Sequence, residues 1–144
     1  MLGVEPMNMN DQEDRVVYES SARFDENRIL AAAVYCSDGR FGEHFDDFLH
    51  NYLKLPRYDR LAVPGGAACL AGHFLAFWEE EILIEQLRFL VKVHGLERVV
   101  LVAHQDCAFY AERLHISPLQ MESQQREDMQ TAVQRVRSCT PGLR

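Results

Sequence analysis

The first strongly apolar run in the chain is Ile29-Leu30-Ala31-Ala32-Ala33-Val34-Tyr35, and it closes on Cys36-Ser37-Asp38-Gly39-Arg40. A short apolar run ended by serine, aspartate and glycine predicts a buried strand running into a loop. Ahead of it, Met1 to Asn27 is rich in Asn, Asp, Gln and Glu with only scattered apolar residues. That pattern predicts a polar N-terminal arm over residues 1–27, loose or laid across a partner subunit, before a folded domain over residues 28–144. After the loop, Phe45, Phe48, Leu49, Tyr52 and Leu53 recur at i, i+3, i+4, i+7 and i+8, one face of an amphipathic helix that Pro56 stops. Asp59 to Val63 predicts a second short strand, turned sharply by Pro64-Gly65-Gly66. Ala67 to Trp78, rich in alanine and aromatic residues, reads as a buried helical stretch.

The next helix is the most apolar. Glu79, Glu80 and Glu81 suit its N-terminus, and His94-Gly95 suit its C-terminus. Ile82, Leu83, Ile84, Leu87, Phe89, Leu90, Val91 and Val93 cover well over half of its circumference, leaving Glu81, Glu85, Arg88 and Lys92 as a polar strip. A helix this apolar needs cover beyond the sheet side, which predicts a homodimer or higher homo-oligomer. Arg98 to Ala103 is a third strand candidate, and it runs straight into His104-Gln105-Asp106-Cys107. Asp106 to His115 reads as a short helix with Cys107 in its first turn. Ser117 and Pro118 suit the cap and first turn of a last helix. Its apolar stripe comes late, at Met129, Ala132, Val133 and Val136, so Gln120 to Asp128 reads as solvated. The order strand, helix, strand, helices, strand, helix predicts an α/β fold: a single three-layer α/β/α domain with a mainly parallel sheet.

The 144 residues leave room for one core and one domain. A net charge of −7 argues against nucleic acid and against anionic membrane surfaces as partners. The densest apolar run, Ile82 to Val93, is broken by Glu85, Arg88 and Lys92 and is no membrane span. The start lacks the basic and then apolar order of a secretory signal, so a cytoplasmic location is expected. In that reducing setting, Cys69 and Cys139 read as ordinary thiols.

Candidate chemistry lies at the strand ends. In open parallel sheets ligands bind beyond the carboxyl ends of the strands. If the first and third strands are neighbours, Cys36, His104 and Cys107 meet at one edge as a Zn2+ site with one position open. Either cysteine alone would read as a small buried hydrophobe, and His104 at ligand spacing turns the reading toward metal. His44, His50, His73, His94 and His115 read as helix-face residues, and Asp106 as serving the N-terminus of the helix after it. Gly65-Gly66 reads as a turn, with a backbone anion cradle as the alternative. Asp38 and Arg40 could form a plain loop ion pair. A cysteine phosphatase or sulfurtransferase fits less well. Only Ser37, Asp38 and Gly39 separate Cys36 from Arg40, fewer than an oxyanion loop uses, and Asp38 would repel an anionic substrate.

The C-x-D-x-R of Cys36 to Arg40 and the H-x-x-C of His104 to Cys107, each following a strand, resemble the β-class carbonic anhydrases, and the resemblance runs from about Ile29 to His115. It implies zinc on Cys36, His104 and Cys107, with Asp38 and Arg40 as a catalytic dyad beside the metal. The implied activity is reversible hydration of carbon dioxide to bicarbonate, with zinc-bound hydroxide as nucleophile and a small molecule as the substrate. Asp38 would either orient that hydroxide or swing onto the metal and close the site. The family usually has serine at the position of Gly39, glycine at that of Ala108, and Arg-Asn-Ala-Gly where Val63-Pro64-Gly65-Gly66 stands. These departures surround the ligands and leave the ligands themselves in place. Two other readings stand beside this one: a non-catalytic zinc-binding homodimer, and a hydrolase of another small linear molecule such as carbonyl sulfide or carbon disulfide.

Overall fold

All of β1 (Ala31–Cys36) is buried, because it is the middle strand of three and is covered on both faces. The structure, a computed structural model, describes residues 16–143. β2 (Asp59–Val63) and β3 (Arg98–Leu101) flank β1 in the order β2-β1-β3, and both pairings are parallel. In register, Cys36 lies opposite Val63, and Val34 lies opposite Leu101.

The two-residue alternation of β1 divides the core. Ala32 and Val34 pack under α2 (Phe77–His94) and α3 (Pro118–Cys139), with Leu83, Ile84, Leu87, Ala132 and Val136. Ala31, Ala33 and Tyr35 pack on the other face against Phe45 of α1 (Gly42–Asp47) and Leu49 of the turn that follows it. This is the three-layer α/β/α arrangement expected from the element order. Helices lie on opposite faces because β2 and β3 lie on opposite sides of β1, and right-handed crossovers to opposite sides use opposite faces.

Several elements differ locally from their sequence pattern. α1 is short and continues as a π-helical turn, Phe48–Tyr52, closed by the Leu53 amide donating to the Phe48 carbonyl at 3.0 Å. The wider i→i+5 turn shifts the stripe. Phe45 and Leu49 stay inside, while Phe48 and Tyr52 face solvent and stack on each other at 5.5 Å. The stretch read as one buried helix is two 3-10 turns, Gly66–Leu70 and Phe74–Ala76, separated by Gly72 at a φ of +75°. Its alanine-rich first turn is buried, but Phe74 and Trp78 are exposed. α2 ends as expected, on Gly95 in the left-handed region. Its wide apolar arc is only partly used, since Ile82, Phe89 and Val93 remain exposed.

Cys107 lies just before a π-helical turn, Phe109–Arg113, and not in the first turn of an α-helix. Asp106 makes no side-chain cap there, and its own backbone sits at a φ of +52°. The early part of α3 is solvated on one side only: Gln120, Glu122, Ser123, Arg126 and Glu127 are exposed as expected, but Asp128 is buried, and Gln124 and Gln125 are half-buried. Residues 1–15 of the arm lie outside the described residues. Residues 16–30 form no helix or strand and leave Val17, Tyr18 and Phe24 exposed. No described helix is long and apolar enough to cross a membrane.

Candidate metal centre

The order β2-β1-β3 reverses direction between β1 and β3, and a reversal of this kind opens a crevice at the carboxyl ends of those two strands. Cys36 is the last residue of β1. The Ser37 amide donates to the Val63 carbonyl at 3.0 Å, which fixes the strand end from the β2 side. From the other side the Val102 amide donates to the Val34 carbonyl at 3.0 Å, carrying the ladder one step past β3. His104 follows two residues later, so its ring reaches Cys36.

The ligating atoms of Cys36, His104 and Cys107 all lie within 4.8 Å of one another, and the two sulfurs are 3.9 Å apart. Two thiolates bound about 2.3 Å from one tetrahedral ion would be separated by about 3.8 Å, so the spacing suits zinc. The histidine is prepared in the same way. Its Nδ1–H donates to the Gln105 carbonyl at 2.7 Å, which leaves the lone pair on Nε2. Nε2 is buried and has no hydrogen-bond partner among the described residues. An imidazole held through one nitrogen by a carbonyl, with the other free, is the usual form of a metal ligand. Phe41 stacks on the ring at 4.3 Å and fixes its plane. Burial pushes the Cys107 thiol up to about 11, the direction for a sulfur taken out of water. The donor set therefore fits a zinc ion on two counts, spacing and tautomer.

Beside the ligands, Asp38 and Arg40 form a two-pronged pair. Arg40 Nη2 donates to Asp38 Oδ2 at 2.6 Å, and Nε donates to Oδ1 at 3.0 Å. The Arg40 backbone amide donates to Oδ1 as well, at 3.1 Å. The Arg40 side chain first, and its amide second, hold the Asp38 carboxyl far below the usual range, at about 2. The carboxylate is half-buried and directed by its partner, while most of the guanidinium faces solvent.

Gly65 and Gly66 turn out to serve this strand end directly. A Cβ on Gly66 would stand 2.5 Å from the Cys36 amide nitrogen and 2.6 Å from the Tyr35 carbonyl carbon, and one on Gly65 would enter the Phe109 ring at 2.5 Å. Both residues have positive φ. Gly66→Ala therefore adds a left-handed penalty of ~1–2 kcal/mol to an overpacking penalty of ~1–3 kcal/mol. The obstacle is backbone, so it cannot rotate away, and Cys36 itself must move. Thermal denaturation and metal content should both fall in this variant. A Gly66→Ala protein with wild-type melting temperature and zinc content would refute the close contact.

The other sequence candidates lie apart from the centre. Cys69 is fully buried, donates its thiol to the Pro64 carbonyl, and is pushed up to about 12 by burial. Cys139 is half-buried near the end of α3, and among the described residues no two cysteines are joined. His94 pairs with Asp59 at the opposite end of the sheet. His73 is more than a helix-face residue, because its Nε2 donates to buried Asp128 at 2.7 Å. Phe41, Gln125 and Asp128 were not singled out by the sequence, yet each touches the ligand loop or a group that holds it. A family model described as "Putative carbonic anhydrase" matches residues 26–144. No curated protein matches the chain, and no solved structure does.

Proposed function

This chain belongs to the carbonic anhydrase-like family whose model it matches, and on that premise we propose that it hydrates carbon dioxide reversibly to bicarbonate. Zinc would be held by Cys36, His104 and Cys107. The observation that carries the reading is the buried, partnerless Nε2 of His104 facing two thiols, with an Arg-held carboxylate two residues beyond Cys36. When bound, zinc would act as a Lewis acid and make a water molecule acidic enough to serve as a nucleophile at mildly alkaline pH.

The chain's own residues supply the rest. Arg40 holds Asp38 ionised and aimed, so that a carboxylate oxygen accepts a hydrogen bond from the attacking water and turns its lone pair toward a small electrophile. A purely structural zinc site has no need of that pair, which favours an enzyme over a zinc-bearing scaffold. Arg40 donates to both Asp38 oxygens, which would oppose a swing of the carboxylate onto the metal. The buried, unjoined thiols suit a reducing compartment such as the cytoplasm.

The test is metal analysis of protein purified without added zinc, followed by stopped-flow hydration across pH. The expected result is one zinc per chain and turnover of carbon dioxide. Full zinc with no hydration at alkaline pH would establish the non-catalytic scaffold. Turnover of carbonyl sulfide or carbon disulfide alone would move the substrate within the same chemistry.

The active unit in this reading is a homodimer. Phe74, Phe77, Trp78, Ile82 and Phe89 leave an apolar surface along α2 and the turn before it, with Trp78 73% exposed. Isologous pairing is the commonest way to cover such a patch. Light scattering should give twice the chain mass. A stable monomer at micromolar concentration would refute the dimer.

A further inference from the structure

The segment that carries His104 and Cys107 receives little guidance from the sheet. The ladder ends at Val102, and Asp106, between the two candidate ligands, sits at a φ of +52°, a left-handed turn that takes the segment out of any regular element. Something else must set the distance between the imidazole and the second thiol. α3 crosses this segment and grips it twice. Gln125 Nε2 donates to the His104 carbonyl at 2.8 Å. One turn later on the same face, Asp128 is 4% exposed, and its Oδ2 accepts the Tyr110 hydroxyl at 2.7 Å. Tyr110 is in turn joined to the ligand, because its amide donates to the Cys107 carbonyl at 3.1 Å.

We propose that α3 is a clamp that sets the bite of the metal centre, with Gln125 and Asp128 as positioning residues: Gln125 holds the His104 end and Asp128, through Tyr110, holds the Cys107 end. The proposal rests on the metal reading given above. The physical case is that a carboxylate this deeply buried is unfavourable unless its oxygens are fully engaged. Here they are. Besides Tyr110, His73 Nε2 donates to Oδ2 at 2.7 Å and Gln124 Nε2 donates to Oδ1 at 2.9 Å. Burial pushes the Tyr110 hydroxyl well above its ordinary range, so it remains a donor. A network with all members satisfied is rigid, and its rigidity is passed to the two ligands through two backbone carbonyls.

Groups that hold metal ligands through hydrogen bonds change the affinity for the metal by about 10–100-fold when removed. Gln125→Ala and Tyr110→Phe, with Asp128→Asn beside them, should be compared for zinc affinity by competition with a chromophoric chelator, and for the visible spectrum of the cobalt(II)-loaded protein. Each variant should bind zinc about 10–100-fold more weakly than wild type and show shifted cobalt bands. A network that only packs the fold would lower the melting temperature of the chelator-treated protein and leave both readouts alone. Affinities within about twofold of wild type, with an unchanged cobalt spectrum, would overturn the clamp even if melting changed. If Asp128→Asn does not fold, Tyr110→Phe carries the test, since it removes one hydroxyl and no volume elsewhere. Wild-type protein that takes up neither zinc nor cobalt overturns the metal reading and the clamp together. Wild-type protein that binds both while its variants match it overturns the clamp alone.

Discussion

Cys107→Ser should emerge from purification folded and nearly free of zinc. Cys107 is 2% exposed, and its sulfur lies 3.9 Å from the Cys36 sulfur and within 4.8 Å of the His104 ligand atom, which is the place of a donor and not of a neighbour of the site. A serine hydroxyl is a poor replacement, because it holds its proton far more tightly than a thiol and is a harder donor than zinc favours. Removing one of three ligands should forfeit on the order of a third of the ~10–16 kcal/mol typical of a structural zinc ion, about 3–5 kcal/mol, or roughly two to four decades in affinity. The fold should survive. Serine is close to cysteine in volume, and the neighbours Ala68, Tyr110 and Leu114 keep their packing. Cys69→Ser is the matching control, because that sulfur is equally buried and has no part in the centre. Metal analysis after dialysis against a chelator decides the matter: full zinc in Cys107→Ser, or lost zinc in Cys69→Ser, would overturn the ligand set.

The convergence of Cys36, His104 and Cys107 was legible in the sequence because the candidate chemistry is carried by residue type and the placement by topology. A run such as Ala31 to Val34, short, uniformly apolar and closed by Ser37, Asp38 and Gly39, fits an inner strand, and inner parallel strands deliver their ends to one edge. Once β1 and β3 are neighbours, Cys36 and the His104 to Cys107 pair have nowhere else to go. The supports were not legible, for a different reason. Hydropathy patterns count apolar positions, and a buried aspartate satisfied by three donors looks the same in sequence as a solvated one. Asp128 was therefore assigned to water, although the structure buries it. Gln125 carries its meaning in a contact with a backbone carbonyl, and no side-chain pattern in the sequence records backbone carbonyls. The glycines were half read. Their turn was visible, but the need for glycine at 66 comes from the Cys36 backbone 2.5 Å away, which is a tertiary fact. The π-helical turns at Phe48–Tyr52 and Phe109–Arg113 were missed because one extra residue in a turn changes which side chains face inward without changing composition.

Asp38→Asn should keep the zinc and the fold while lowering hydration by about one to three orders of magnitude, the scale of a positioned acid–base group. Asparagine has the shape of aspartate and can still meet Arg40 through its carbonyl oxygen, but its amide cannot accept the hydrogen bond that orients the attacking water. Arg40→Ala should act in the same direction. Its guanidinium supplies three of the hydrogen bonds to Asp38, and without them the carboxylate is free to turn toward the metal and occupy the position the water needs. The two variants are distinguishable, since only Arg40→Ala leaves a mobile carboxylate that competes for the ion. The pH profile adds a separate check. Held at about 2 by Arg40, Asp38 remains ionised throughout any working range, so its titration does not shape the profile. What remains is the ionisation of the water that the ion activates. Two thiolates cancel the charge of Zn2+, whereas three imidazoles leave it at +2, so that ionisation should fall above the ~7 of a three-histidine site. Activity should therefore rise with pH on the alkaline side of neutrality. Stopped-flow rates for wild type and both variants at matched zinc content settle the role of the pair. An Asp38→Asn enzyme as fast as wild type would leave zinc chemistry standing and remove Asp38 from it.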